Sequence, residues 1–282
     1  MIKAKTKTKA KTDPQEFALP DSLWNKMEAV LPPIPKKKGP GRPPMDNRKA
    51  MTAICYILHT GCQWKALPRY LGAKSTVHDR FQLWVRLGIF YLLWSLGLEC
   101  YDEKFGIQWT WQSMDGCHVV APKGGQLTGP SYKHRGKTGS NRSLLTDQQG
   151  IPLAIVLAPA NKNDFLLTEL TFESIAIKRP DPLFQEQNLC LDKGYDYPEV
   201  DFLIDKWQYN GHIRRKGEPD LPAENRCHQP KRWVVERSHA WLNNFRGVFI
   251  RWARKSENYL GFLHFACAII TFRAAKMIPK IL

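Results

Sequence analysis

The chain has 282 residues, of which 43% are hydrophobic, and its formal net charge is +16. This length suits one large domain, or a small domain followed by a larger one, with a real hydrophobic core. The positive charge favours a polyanionic partner, although a generally basic soluble protein is an alternative. No apolar run approaches the roughly 20 residues of a bilayer-spanning helix, and the lysine-rich start is unlike a signal peptide.

The seven cysteines are scattered and form no CxxC pair. This pattern predicts a reducing compartment with mostly buried thiols, and it argues against a zinc site.

The first part of the chain is predicted to be a basic disordered tail over residues 1–20, followed by a helical region over residues 21–105. A short helix is expected to begin with Asp21 as its N-cap. Residues 32–44, PPIPKKKGPGRPP, form a basic linker because Pro and Gly break both helix and strand periods. Its GPGRPP segment resembles a minor-groove arm of the AT-hook kind, and an ordinary linker is the alternative.

Residues 46–98 are predicted to be helical throughout. Asp46 caps a helix that Gly61 ends, residues 64–71 form a second helix, and Ser75 caps a third. The last two have helix-turn-helix proportions, and a plain helical hairpin is the alternative. If the third helix contacts DNA, the side chains that would do so are Lys74, His78 and Arg80.

From residue 106 onward, strand patterns alternate with helical ones. We expect strands at residues 109–121, on both sides of a turn at 147–150, before Asp192, and at 211–216. Helices are expected from an Asp164 cap, from a capping box of Asp196 and Glu199, and over the last two segments. The order β-β-β-α-β-α-β-α-α predicts an α/β fold, a mixed sheet with flanking helices over residues 106–282.

The segment KRWVVERSHAWLNNFRGV, residues 231–248, is predicted to be a basic amphipathic helix. Its apolar stripe comprises Val234, Val235, Trp241, Leu242 and Phe245. Glu236 falls roughly opposite this stripe. Trp233 and Trp241 are candidates for base stacking, although Trp241 also suits the core.

Three acids fall where the strands of such a sheet would converge, namely Asp115, Asp192 and Glu236. Carboxylate oxygens suit hard cations such as Mg²⁺ or Mn²⁺, and two such ions can promote phosphoryl transfer. Each acid also has a structural explanation. Asp115 with Gly116 is a common turn pair, Asp192 suits a loop cap, and Glu236 suits an ion pair with Arg232.

The loop between the first two strands, residues 122–143, is basic and contains no acid. It is predicted to bind backbone phosphates, and a solvated basic loop is the alternative. Its proposed contacts are Lys133, Arg135 and Lys137.

The segments MDGCHVV, LDKGYD, RWVVERSHAWLNNFRGVFIRW and YLGFLHFACAIITFR together resemble a DDE transposase of a bacterial insertion sequence, in the group named after insertion sequence five. The segment GCQWKALPRYLGAKSTVHDRFQLW resembles that family's helical DNA-binding region. The resemblance implies a ribonuclease-H-like fold, with Asp115, Asp192 and Glu236 as catalytic metal ligands. The chain departs from the family's last motif at two positions, Gln229 and Asn243, where the family frequently has Tyr and Lys.

The resemblance implies an enzyme that binds the inverted ends of its own element, cleaves them and joins them to target DNA. The implied cofactor is Mg²⁺ or Mn²⁺, with two ions expected. The implied partner is double-stranded DNA, with at least a homodimer assembled on it in the bacterial cytoplasm, at the nucleoid. The cations expected near the terminal phosphate are Arg232, Arg237, Lys193 and Arg246. A metal-dependent nuclease without strand transfer and a non-enzymatic DNA-binding regulator are the alternatives.

Overall fold

The computed structural model describes residues 19–34, 39, 43–215, 217 and 233–278. The predicted basic tail lies almost entirely outside these residues, and more than half of the basic linker does too. Gln229 and Arg232 also lie outside the described residues.

Four helices make up the N-terminal region, namely α1 (Asp21–Glu28), α2 (Asn47–Thr60), α3 (Lys74–Arg86) and α4 (Ile89–Phe105). The Asp46 carboxylate accepts a hydrogen bond from the Lys49 N–H, and Gly61 has a left-handed φ of 64°. Both features confirm the predicted start and end of α2, because an N-cap acceptor and a C-terminal glycine satisfy the exposed ends of a helix.

The helix predicted at residues 64–71 is wrong. This segment forms two short 3-10 turns, Trp64–Ala66 and Arg69–Leu71. Pro68 lies between them, and Leu67 before it has an extended ψ of 127°. A proline has no N–H to donate and disfavours the helical conformation of the preceding residue, so one continuous helix cannot form here.

Two predicted N-caps are also wrong in this region. Helix α3 begins two residues earlier than predicted, so the N-cap is Ala73 instead of Ser75, and Ala73 provides no side-chain bond. Helix α1 begins at Asp21 itself, and the Asp21 carboxylate pairs with Arg48 at 2.6 Å. The start of α1 differs because Asp21 has a tertiary contact, and the start of α3 differs by a two-residue shift.

The C-terminal region is built on one six-stranded sheet. Its strands are β1 (Trp111–Val120), β2 (Gly129–Pro130), β3 (Thr138–Asp147), β4 (Pro152–Pro159), β5 (Asn188–Leu191) and β6 (Asn210–Ile213). The long strands lie in the order β4-β3-β1-β5-β6, and the two-residue β2 pairs with the start of β3. Pairing is antiparallel from β4 to β1 and parallel from β1 to β6. The predicted mixed sheet is confirmed, and β2 within the basic loop was missed.

Neighbouring residues of β3 show which helices cover each face, because consecutive side chains of a strand point to opposite faces. Arg142 reaches Asn243 on α7 (Trp233–Asn243), whereas Ser143 accepts a hydrogen bond from Thr171 on α5 (Thr168–Glu173). Helix α9 (Ser256–Ala274) packs against β4 and α4, and α6 (Pro198–Lys206) packs against α5 and β6. The result is a sheet with helices on both faces.

Three further helix predictions differ from the structure. Asp164 starts a 3-10 turn without capping it, and α5 ends at Glu173. Asp196 pairs with Arg215 at 2.8 Å, so no capping box precedes α6. The basic helix is broken after α7, and a short α8 (Arg246–Phe249) follows.

The N-terminal helices and the sheet share one hydrophobic core, which runs from Leu23 in α1 to Phe272 in α9. The Trp94 indole of α4 donates to the carbonyl oxygen of Pro152 at the start of β4, at 3.1 Å. Within the described residues, no single helix is long and apolar enough to cross a membrane. Taken together, α3 and α4 have the length and composition of a membrane span, but the pair is bent by 67°.

Candidate active site

Strands β1 and β5 bring Asp115 and Asp192 together. These strands are parallel, with Trp111 opposite Asn188 and Ser113 opposite Cys190. Continuing this register by two residues places Asp192, just after β5, beside Asp115. The predicted position of Asp192 at the end of its strand is confirmed, whereas Asp115 lies in the middle of β1, just beyond the part that pairs with β5.

The crowding of carboxylates is visible in the electrostatics of Asp115. Its pKa is raised to about 6, chiefly by burial and also by the negative charges of Asp192 and Asp164, against a lowering hydrogen bond from the Gly116 N–H. The pKa of fully buried Tyr195 lies well above the usual range, first because of burial and then because of the negative charges of Asp164, Asp115 and Asp192. A nearby cation would relieve this repulsion between like charges.

Helix α7 brings Glu236 to the same face of the sheet. His239, three residues later and thus on the same side of the helix, lies with Nε2 3.3 Å from the Asp115 carbonyl oxygen. Burial and the charge of Arg142 lower the pKa of His239 to about 3, so its imidazole is neutral. The Glu236 side chain is exposed, as predicted, while Val234, Val235, Leu242 and Phe245 are buried.

A fourth acid, Asp164, was missed as a site residue. A Cβ atom added to Gly116 would lie 2.0 Å from Asp164 Oδ1, so the carboxylate sits over the backbone next to Asp115, on the face of β1 opposite to the Asp115 side chain. Asp164 accepts a hydrogen bond from Asn141 Nδ2 at 2.5 Å. Nothing local in the sequence distinguishes this acid from a helix cap, because the contact joins segments far apart in the chain.

Among the predicted phosphate contacts, Lys133 lies nearest to these acids. Its Nζ is 3.8 Å from Asp164 Oδ2 and donates to the Gly116 carbonyl oxygen at 3.4 Å. Lys193, Arg135 and Lys137 are exposed on the surface.

Of two other predicted contacts, the Arg237 side chain is engaged within the protein, whereas the Arg246 side chain is exposed. The Arg237 guanidinium lies over the rings of Trp233 and Trp241, at 4.7 and 4.8 Å, and donates to the Gln149 carbonyl oxygen. Arg246 is exposed, with its backbone against Gly61 at the end of α2.

The three DNA contacts predicted on α3 differ in their surroundings. Lys74 is exposed, and His78 is half-buried with its ring 4.9 Å from that of Trp64. Arg80 donates to the Asn47 side chain and to the Met45 carbonyl oxygen, so part of its hydrogen-bonding capacity is used within the helical region.

One residue of the predicted phosphate-binding loop lies inside the protein instead. Arg142 is fully buried in β3, where Nη2 donates to Asn243 Oδ1 at 2.6 Å. The prediction that Arg142 belongs to a phosphate-binding loop is wrong, because β3 begins at Thr138 and turns this side chain towards α7. Asn243, where the resembling family often has Lys, is thus the acceptor for a buried arginine.

The donors at the carboxyl end of β5 suit a hard divalent cation. They are carboxylate oxygens, and the pKa of Asp115 is raised first by burial and then by the charges of Asp192 and Asp164, so a cation bound beside them would be favoured. Among the described residues, no three His, Cys, Asp or Glu side chains already converge into a metal-binding group. The residues therefore fit such an ion by the chemistry of their donor atoms.

Comparison with known families agrees with this arrangement. The family model described as "Transposase DDE domain" matches residues 112–270, which is more than half of the chain. A second model, "Putative transposase of IS4/5 family", matches residues 19–94 and covers the helical region. A DDE domain implies a ribonuclease-H-like fold, which agrees with the mixed sheet and its flanking helices.

Two relatives come from Burkholderia cepacia. The "Putative transposase for insertion sequence element IS402" is 31% identical over 159 residues, which are 53% of this chain and 70% of that protein. The "Insertion element IS402 uncharacterized 16.2 kDa protein" is 35% identical over 114 residues, which are 39% of this chain and 77% of that protein. No solved structure matches the chain. The chain belongs to the DDE transposase family of insertion sequences.

Proposed function

We propose that the protein binds the terminal inverted repeats of its own mobile element, cleaves DNA strands at these ends and joins them to target DNA. Asp115, Asp192 and Glu236 are the proposed catalytic residues. The observation that carries the proposal is the register of β1 and β5, which places Asp115 beside Asp192 on the face that α7 covers.

Each of the three acids is held in place by a different part of the structure. Asp115 is held by the centre of the sheet, and Asp192 Oδ1 accepts from the Gly194 N–H at 2.7 Å, which restrains its loop. Glu236 stands on α7, which is fastened to the sheet where Ser238 donates to the Gly150 carbonyl oxygen at 2.7 Å. Two of the three proposed ligands are therefore positioned by the sheet and its adjoining loop, and the third stands on a helix fastened to the sheet.

DDE transposases depend on divalent metal ions. We infer that Mg²⁺ or Mn²⁺ is bound here, with two ions expected. When bound, such ions supply the Lewis acidity and the activated nucleophile of phosphoryl transfer. The protein's own contribution is to hold the carboxylates in place, and to place basic residues where the phosphate backbone approaches.

The proposed DNA contacts divide between the two regions. Lys74, His78 and Arg80 on α3 suit recognition of the element end, with Lys74 the most exposed of them. In the catalytic region the proposed contacts are Lys133, Arg135, Lys137, Lys193, Arg232, Arg237 and Arg246. Joining two element ends requires two active sites in one complex, so we expect at least a homodimer on DNA, acting at the nucleoid.

The test uses oligonucleotides that carry the inverted repeats flanking the reading frame, incubated with the full-length protein and Mg²⁺. Cleaved and joined products are expected from the wild type, and joined products exclude a nuclease that cannot transfer strands. Asp192→Ala should abolish both products while it retains salt-sensitive DNA binding. Asp205→Asn, which changes an exposed acid on α6, is the matched control and should leave activity unchanged. Full activity of Asp192→Ala would refute the proposal.

A further inference from the structure

The carboxylate of Asp164 and the ammonium of Lys133 form an ion pair beside Asp115. Asp164 follows β4, whereas Lys133 belongs to the basic loop between β1 and β3, so the fold brings them together from separate segments. The side chain of Asp164 is 16% exposed and that of Lys133 is 42% exposed. Asp164 is thus the anchored partner, and Lys133 keeps an accessible ammonium.

The turn that carries Lys133, Tyr132–His134, is fastened to β1 at several points. His118 Nδ1 lies 2.8 Å from the Ser131 hydroxyl, and His134 Nε2 lies 3.2 Å from the His118 carbonyl oxygen. Lys133 Nζ itself donates to the Gly116 carbonyl oxygen. The ammonium is therefore held at a defined place along β1, one residue from Asp115, before any DNA is bound.

Gly116 makes this arrangement possible, since any side chain at that position would collide with the Asp164 carboxylate. The carboxylate fills the space above Gly116, where Asn141 donates to it from the neighbouring strand β3. Asp164 thus has a fixed position on the sheet, which an exposed acid on a flexible loop would lack.

Two of the other cations considered for the terminal phosphate have contacts away from the acidic cluster. The Arg237 guanidinium is held between Trp233 and Trp241, towards the β3–β4 turn, and Arg246 stands against the end of α2. Position 243, where the resembling family often has Lys, is occupied here by the acceptor for buried Arg142. Lys133 is the predicted phosphate contact that has an ion pair at the acidic cluster among the described residues.

We propose that Asp164 is a positioning residue that holds Lys133 beside Asp115, where the Lys133 ammonium contacts the DNA phosphate on which the carboxylates act. This proposal rests on the proposed function of Asp115, Asp192 and Glu236. It names the cation that compensates the charge of the reacting phosphate, and it gives Asp164 the role of orienting that cation without contact with the DNA.

Nicking of supercoiled plasmid DNA with Mn²⁺ tests the proposal without knowledge of the element ends. At saturating DNA, Lys133→Ala and Asp164→Asn should each lower the nicking rate roughly 100-fold, the order seen when one preorganised donor to a reacting charge is lost. Because both changes remove one unit, the double variant should be no slower than Lys133→Ala. Lys133→Arg should recover part of the rate, since it keeps the charge.

Binding of a fluorescein-labelled duplex, measured by anisotropy with Ca²⁺ in place of Mn²⁺, separates positioning from DNA contact. Lys133→Ala should reduce the slope of log affinity against log salt by about one, as expected for one lost phosphate contact. Asp164→Asn retains the lysine and should bind within about twofold of the wild type, as expected of a residue that does not touch the phosphate.

The matched control is the surface pair of Lys206 and Glu169, whose atoms are 2.6 Å apart on α6 and α5. Lys206→Ala and Glu169→Gln should leave nicking unchanged.

The proposal is overturned if Asp164→Asn nicks DNA at the wild-type rate. It is overturned too if the fold-losses in nicking rate of the two single variants multiply in the double variant. It is also overturned if Asp164→Asn raises the Mn²⁺ concentration for half-maximal nicking while Lys133→Ala does not, because Asp164 would then bind metal. Wild-type nicking by Asp115→Asn would instead refute the proposed active site.

Discussion

Gly116→Ala places a methyl group where the Asp164 carboxylate now lies. The new Cβ atom would be 2.0 Å from Asp164 Oδ1, whereas ordinary contacts begin at 3.4 Å. The carboxylate must retreat by about 1.4 Å, the difference between these distances, if the strand stays in place. Such a shift carries Oδ1, now 2.5 Å from Asn141 Nδ2, beyond hydrogen-bonding range. One charge-assisted hydrogen bond is then lost, at a cost of about 1.5–3 kcal/mol of unfolding free energy.

Urea unfolding and Mn²⁺-dependent plasmid nicking of Gly116→Ala, Asp164→Ala and the double variant measure these consequences. Gly116→Ala should be destabilised and nick slowly, because the displaced carboxylate no longer orients Lys133. Asp164→Ala removes the atoms that collide, so the double variant should be more stable than the sum of the single effects predicts. Nicking should stay low in all three variants. Wild-type stability and nicking in Gly116→Ala would show that Asp164 does not occupy this position.

Other substitutions test the buried charges of the fold. Burial raises the pKa of Asp147 from 3.8 to about 6, so its stabilising contribution is complete below the lower value and is lost as pH rises through the higher one. Between pH of about 4 and 7, the wild type should lose about 3 kcal/mol relative to Asp147→Asn in urea unfolding, and a constant difference would contradict this. Asn243→Lys should lower the free energy of unfolding by roughly 3 kcal/mol, because it places a second cation against buried Arg142. It should not increase the rate of plasmid nicking, and a faster nicking rate would contradict this expectation. Arg251→Met should lower the free energy of unfolding by roughly 3 kcal/mol, because fully buried Arg251 donates hydrogen bonds to the carbonyl oxygens of Gln126 and Leu127. An unchanged Tm in thermal unfolding would disprove this.

Local patterns in the sequence were sufficient for the succession of the longer strands along the chain and for the amphipathic face of α7. Period-two and period-3.6 repeats act over a few residues, so β1, β3, β4 and the apolar stripe with Val235 and Leu242 were predictable. The three proposed catalytic acids also came from the sequence, through the motifs around Asp115, Asp192 and Glu236. Their joint role as metal ligands stays a prediction that the assays above address.

The helix caps show where local patterns fail. Asp21, Ser75, Asp164 and Asp196 all match an N-cap pattern, and none of them caps a helix. Asp21 and Asp196 pair with arginines, and Asp164 lies over Gly116. A capping acid gains only about 1 kcal/mol, so an ion pair or a tertiary hydrogen bond readily outweighs it.

What the sequence alone determined was thus the fold class and the family resemblance, and it proposed the three acids, because each depends on short segments read in order. The tertiary structure decided which charges are buried and which face the site. Arg142 and Lys133 belong to one basic segment, yet Arg142 is fully buried against α7 and Lys133 reaches Asp164. The physical reason is that burial and ion pairing depend on distances between segments far apart in the chain, and these distances exist only after the sheet has formed.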